Sequence, residues 1–227
     1  MGIVAKNLVK NVGDPPTRIL HDISLEISRG EMFSISGRSG SGKSTLLYLL
    51  STLDQPSEGS LIIDGRNITD MSIEELHRFR NNNVGFVFQF HYLLTELTAL
   101  ENVLLPARNS GQHLEKTSFA HELFYQFGME NKKDSLPSQL SGGEQQRIAI
   151  ARALIMNPGY IFADEPTGNL DSKNGLIVMD FLKRINQERG ATVVLVTHER
   201  EYAAMAQREI YLVDGRLTNE ETFIANH

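Results

Sequence analysis

The 227-residue chain contains no cysteine and no tryptophan. Without cysteine, a disulfide scaffold and any thiolate metal site are excluded; a reducing compartment fits but is not required. There is no basic surplus either: 22 Lys and Arg face 28 Asp and Glu, for a formal net charge of -6. A general nucleic-acid binder carries the opposite balance. No apolar run approaches the ~18–20 residues that a membrane helix needs, and the longest, around Thr192–Val196, has the size of a core strand. The first ten residues, MGIVAKNLVK, hold neither an apolar h-region nor a small-residue cleavage site. A signal peptide is therefore not expected, nor is direct insertion into a membrane, so a membrane role would run through a partner. Repeats, low-complexity tracts and Pro/Gly/Ser-rich linkers are also missing. What is there, 41% hydrophobic and 22% charged residues, is ordinary globular usage, and the length gives one or two domains.

Short apolar runs bounded by Gly, Asp or Asn alternate with amphipathic stretches, the pattern of a mainly parallel α/β sheet. Met32–Ser36 is a short apolar run ending in a Gly-rich loop, while Val84–Phe88, Tyr160–Ala163 and Thr192–Val196 are near-continuous apolar runs, as expected of strands covered on both faces. Ile19–Ile27 alternates apolar and polar residues and reads as a half-exposed strand. Asp64-Gly65 and Asp214-Gly215 mark hairpins, since a type I′ turn needs positive φ at both centres. Helices are expected over Lys43–Leu53 and around Ala120–Phe127, Ile148–Ile155 and Ile177–Ile185. Between about Gln89 and Leu140 no strand signal occurs, which suggests a helical subdomain inserted into the core.

Gly37-Arg38-Ser39-Gly40-Ser41-Gly42-Lys43-Ser44, followed by Thr45, matches the phosphate-binding loop G-x-x-x-x-G-K-[ST]. A strand-like run precedes it and a helical one follows. Glycines let the backbone curl so that several N–H groups face one anion, and the helix start adds a positive dipole end. Lys43 would supply full charge to the β/γ-phosphates, and the Ser44 hydroxyl could ligate Mg²⁺. Such a loop does not name a reaction: kinases, GTPases and motor ATPases share it. No Asn-Lys-x-Asp guanine reader is present.

Tyr160-Ile-Phe-Ala-Asp164-Glu165 is an apolar strand ending in two carboxylates. Ligands of open α/β sheets bind at such carboxyl ends. Asp164 is expected in the Mg²⁺ shell, and Glu165 as the acceptor of a proton from an attacking water. Read alone, the pair is equally two solvated acids at a strand end. Leu140-Ser141-Gly142-Gly143-Glu144-Gln145-Gln146-Arg147 opens another helix. Ser141 and Glu144 fit a capping box, while the two glycines at a helix start make a second anion site. One chain has no use for two terminal-phosphate binders. In a two-fold dimer, Ser141–Gly143 of each copy could close over the nucleotide held by Gly37–Thr45 of the other.

These elements together resemble the ATP-binding-cassette (ABC) ATPases, in order and over nearly the whole chain. The resemblance implies a P-loop NTPase fold in one domain over residues 1–227. Its mostly parallel core sheet with an antiparallel β subdomain would span about 1–88 and 141–227, and the helical subdomain about 89–140. It implies ATP and Mg²⁺ as ligands, ATP hydrolysis coupled to transport, a homodimer, integral-membrane partner subunits, and a cytoplasmic location on the inner face of the cell membrane. Gln89 looks like the Q-loop glutamine, sensing Mg²⁺ and the γ-phosphate. Asn169-Leu170-Asp171 looks like the D-loop. His198, in Val-Thr-His, would bind the γ-phosphate and help place the water. Where many relatives stack an aromatic ring on adenine, Val12 offers apolar contact only.

Phe88-Gln-Phe-His-Tyr-Leu-Leu, Ala99-Leu-Glu-Asn-Val and Pro166-Thr-Gly-Asn-Leu-Asp are similar to the lipoprotein-releasing (LolD-type) subgroup within the MacB/FtsE/BceA-like exporters. An FtsE-like division ATPase or a MacB/BceA-like exporter is the alternative. A DNA-repair ATPase would need a long insertion or zinc modules, for which this acidic, cysteine-free chain has no room. A kinase or a sensor without transport would share only the phosphate loop. His77, His91, His113 and His121 form no metal cluster and are expected on the surface or in loops.

Overall fold

The computed structural model describes residues 1–218. Two compact units emerge, one of Met1–Arg78 with the stretch from Lys183, the other of Phe79–Leu182.

The first unit holds an antiparallel sheet of order β2-β1-β4-β5, built from β1 (Gly2–Val12), β2 (Thr17–Ser28), β4 (Glu58–Ile63) and β5 (Arg66–Asn67). Ile3 and Ala5 are buried in the core, while Lys6 and Asn7 are exposed, and further along β1 both Leu8 and Val9 are buried. The break in strict alternation coincides with a register irregularity between Ala5 and Leu8 and with Asn7 at φ 51. A bulge of this kind locally re-aims the side chains of its strand. The Asp64-Gly65 turn joins β4 to β5 with both residues at positive φ, as its sequence requires.

The same unit carries strands in the order β10-β9-β3-β8, namely β3 (Met32–Ser36), β8 (Thr192–Val196), β9 (Arg208–Val213) and β10 (Arg216–Thr218). β3 runs parallel to both β8 and β9, and every residue of β3 and β8 is buried. Each large aliphatic or aromatic side chain buried in this way contributes about 1.5–3 kcal/mol. β9 and β10 form the hairpin expected at Asp214-Gly215. Helix α1 (Lys43–Leu50) stops three residues short of the expected Leu53. Ser51 hydrogen-bonds back to Leu47, and Thr52 turns to φ 65, which an α-helix cannot continue through. The short α7 (Arg200–Ala203) precedes β9.

In the second unit β6 (Val84–Val87) and β7 (Tyr160–Asp164) pair in parallel, from Val84 opposite Tyr160 to Val87 opposite Ala163. Between β6 and α5 (Gly142–Leu154) lie α3 (Ala99–Asn109), α4 (His113–Gln126) and two short 3-10 turns. The unit boundaries fall inside α2 (Ile73–Asn83) and α6 (Ser172–Arg189). β1 and α2 carry no signal in the residue patterning, and α3 falls within the stretch expected to be helical without bounds of its own. Among the described residues no helix is long and apolar enough to cross a membrane.

Candidate functional site

The phosphate loop joins the end of β3 to the start of α1. Gly42 is the N-cap at φ 99, a conformation open to glycine and costly for other residues. Lys43 is buried, and its ammonium donates to the main-chain oxygens of Gly37 at 2.9 Å and Arg38 at 2.8 Å. The cation is thereby held over the curl of the loop. Arg38, Ser39 and Gly40 are exposed; Ser44 and Thr45 are half-buried on the first turn of α1. The β9–β10 hairpin supports this loop from behind: Gly215 N–H donates to the Ser41 oxygen at 3.0 Å, and Ser41 N–H to the Arg38 oxygen at 3.2 Å. That support joins residues far apart in the chain and carries no local sequence signal.

Val12 ends β1 with its side chain 51% exposed, so it offers an apolar surface without a ring. His198 follows β8 and is exposed. The adjacent Thr197 hydroxyl accepts from Glu199 N–H at 3.1 Å, which shapes the turn after the strand.

In the second unit, Asp164 is the buried last residue of β7. Glu165 leaves the strand at φ 45. A non-glycine residue in this left-handed region costs on the order of 1–3 kcal/mol and persists where the surroundings over-determine it. Here Gly168 N–H donates to the Glu165 oxygen at 3.1 Å, and Leu170 N–H to the Thr167 oxygen at 2.9 Å. The turn that follows Glu165 packs on the loop after β6: a Cβ built on Gly168 would stand 2.8 Å from Gln89 Nε2. Asn169 Nδ2 also donates to the Gln89 oxygen at 3.0 Å. Gln89 thus lies against Gly168 and Asn169, in the turn that follows Glu165.

Helix α5 starts as its sequence predicts. Ser141 Oγ accepts from Glu144 N–H at 3.3 Å, and Glu144 Oε2 accepts from Ser141 N–H at 2.8 Å. The main-chain donor of Ser141 and that hydroxyl hold Glu144 below the usual carboxylate range, and Lys132 adds to the effect. Ser141 and Gly142 are exposed, Gly143 buried. Asp171 accepts from Asn174 N–H at 2.9 Å and from its Nδ2 at 2.7 Å; these bonds lower its pKa and make it a cap of α6.

Three site-shaping residues escaped the sequence reading. Asn102, fully buried in α3, binds the main chain of residues 94–98. Arg152 donates from Nη2 to the His91 oxygen and from Nη1 to the Tyr92 oxygen, both at 2.7 Å. Gln146 donates to the oxygens of Phe88 and Pro166. Of the histidines, His77 and His121 are exposed and His91 and His113 half-buried.

Ser44, Asp164 and Gln89 offer a hydroxyl, a carboxylate and an amide oxygen, hard donors of the kind Mg²⁺ takes. Among the described residues no three His, Cys, Asp or Glu gather as a metal site. Mg²⁺ takes few protein ligands and fills its shell from water and phosphate oxygens, so each of these donors suits it.

Residues 20–168 match the ABC transporter family. The chain is 49% identical over 224 residues to the lipoprotein-releasing system ATP-binding protein LolD of Leptospira interrogans, covering 99% of this chain and 94% of that protein. It is 45% identical over 219 residues to the macrolide export ATP-binding/permease protein MacB of Campylobacter jejuni, covering 96% of this chain but 34% of that protein. Among solved structures it is similar to the dimeric post-hydrolysis state of the ATP-binding cassette MJ0796 bound to ADP and Pi. The TM-score is 0.85 at 41% identity, covering 96% of this chain and 97% of that one. With a family match over most of its length and relatives at this identity, the chain belongs to the ABC transporter family, as one of its ATP-binding, ATP-hydrolysing subunits.

Proposed function

We propose that the chain powers the release of lipoproteins from the inner membrane, working as a homodimer on the cytoplasmic face with integral-membrane subunits. The observation that carries this reading is 49% identity spanning 94% of a LolD protein. The likeness to MacB supports a second reading, an exporter ATPase of the macrolide type. The two separate when the chain is co-purified with its membrane subunits and reconstituted. ATP-dependent transfer of an acylated lipoprotein out of proteoliposomes supports the first; macrolide transport without lipoprotein release supports the second.

In the catalytic cycle, ATP is held by the Gly37–Thr45 loop, with Lys43 on the β/γ-phosphate oxygens. Glu165 takes a proton from the attacking water, the water oxygen bonds to the terminal phosphorus, and ADP leaves. Gln89 and His198 orient the water and the γ-phosphate. Mg²⁺, held by Ser44, Asp164 and Gln89, would neutralise charge on the phosphates. Ser141–Gly143 and Asp171 of a second copy complete the site. Only the closed dimer adds those contacts, so ATP favours closure by differential binding. Catalysis by placement and charge stabilisation fits the loose transition state of phosphoryl transfer.

A further inference from the structure

Gln146, in the second turn of α5, is fully buried. Its Nε2 donates to the Pro166 oxygen at 2.7 Å and reaches the Phe88 oxygen at 3.4 Å. Pro166 is the residue after Glu165, and Phe88 the residue before Gln89. One side-chain amide therefore ties together the main chains that carry these two groups. The orientation follows from the acceptors, since reversing the amide would set its oxygen against two carbonyl oxygens. The Oε1 that remains is buried and has no hydrogen-bond partner. An orphaned buried acceptor costs stability, and an apolar side chain of similar volume would avoid that cost. Keeping an amide here makes physical sense if the two carbonyls must be tied. The loops it joins need such a tie, because Glu165 sits in the left-handed region at φ 45.

We propose that Gln146 is a positioning residue for hydrolysis, a brace that fixes the spacing between the Gln89 loop and the Glu165 turn. The proposal rests on the roles given above to Gln89 and Glu165. By it, losing the brace leaves nucleotide binding intact and misplaces the groups that face the attacking water.

The test uses the full chain with its membrane subunits, and compares Gln146→Met and Gln146→Glu with Gln89→Ala, Glu165→Gln and the Gln146→Met/Gln89→Ala double variant. In Gln146→Met, kcat should fall about 10- to 100-fold, as sub-ångström misplacement does, with KM for ATP changed less than about threefold. In the Gln89→Ala background the same substitution should cost clearly less than in the parent, because the part of the loss that runs through the Gln89 loop is already gone. Amide exchange at Gly168 and Leu170 should quicken, while that of Leu94, tied to Asn102, stays as it was. Gln146→Glu keeps the test open should the Met variant not fold. A neutral carboxyl can donate to the Pro166 oxygen and a carboxylate cannot, so its activity relative to the parent should rise as pH falls from about 8 to 6. Equal losses from Gln146→Met with and without Gln89, or unchanged exchange at Gly168 and Leu170, would overturn the brace alone. If Gln89→Ala and Glu165→Gln themselves leave hydrolysis intact, the reading of the site falls and the brace with it.

Discussion

Asn102 and Leu94 bond in both directions: Asn102 Oδ1 accepts from Leu94 N–H at 2.8 Å, and its Nδ2 donates to the Leu94 oxygen at 3.0 Å. The same Nδ2 lies within reach of the oxygens of Leu97 and Thr98. One buried side chain thus substitutes for the neighbouring strand that residues 94–98 lack. Asn102→Leu should cost about 1–3 kcal/mol in urea unfolding, because it orphans buried main-chain groups. The ATP affinity of the folded fraction should stay unchanged. An Asn102→Leu chain as stable as the parent would contradict the assigned bonds.

Lys43 is folded onto the oxygens of Gly37 and Arg38, and in the proposed function it carries the charge for the phosphates. Lys43→Ala should weaken ATP binding about 10- to 100-fold, the loss of one charge-assisted bond, as read by isothermal titration. Unchanged affinity would remove Lys43 from the proposed site.

Stability should vary with pH through His91. Burial holds its imidazole below the ordinary value of 6.5, and the Arg152 charge pushes the same way, against a hydrogen bond that the ring donates to Gln145. Between the depressed value and 6.5 the unfolded chain binds more protons than the folded one. The His91 contribution is therefore complete above about 6.5 and is lost as pH falls below it. In urea titrations from about pH 7.5 to 5.5, His91→Gln should flatten this loss relative to the parent. Parallel curves would show that the imidazole does not titrate differently in the two states.

The motifs that name the family were legible because their chemistry depends on local spacing. The curl Gly37–Lys43, the Ser141/Glu144 capping box and the Asp64-Gly65 and Asp214-Gly215 turns are each settled by a handful of adjacent residues. The strand β8 is legible because burial on both faces favours a near-continuous apolar run, and β3 because its short apolar run leads into the Gly-rich loop. Long-range pairing was invisible. Arg152 reads as a polar break in an apolar helical stretch until its two carbonyl partners are seen sixty or so residues away. Gln146 belongs to a recognisable signature, yet only the fold shows which main chains it ties. α3 lies in a stretch expected to be helical, but its bounds are hidden because Pro106 interrupts its pattern and its buried face includes Asn102. Asp171, which the likeness to a D-loop puts among the nucleotide-binding residues, caps α6, a role that spacing alone does not suggest.

The central claim is that two copies enclose ATP, each finishing the other's site. Its most direct measurement is the mass of the Glu165→Gln chain by sedimentation equilibrium, with and without Mg·ATP. The account predicts a monomer without nucleotide and a stable dimer with ATP, holding two unhydrolysed ATP per dimer. A chain that binds ATP, stays monomeric at every concentration and hydrolyses at the parent rate would contradict it.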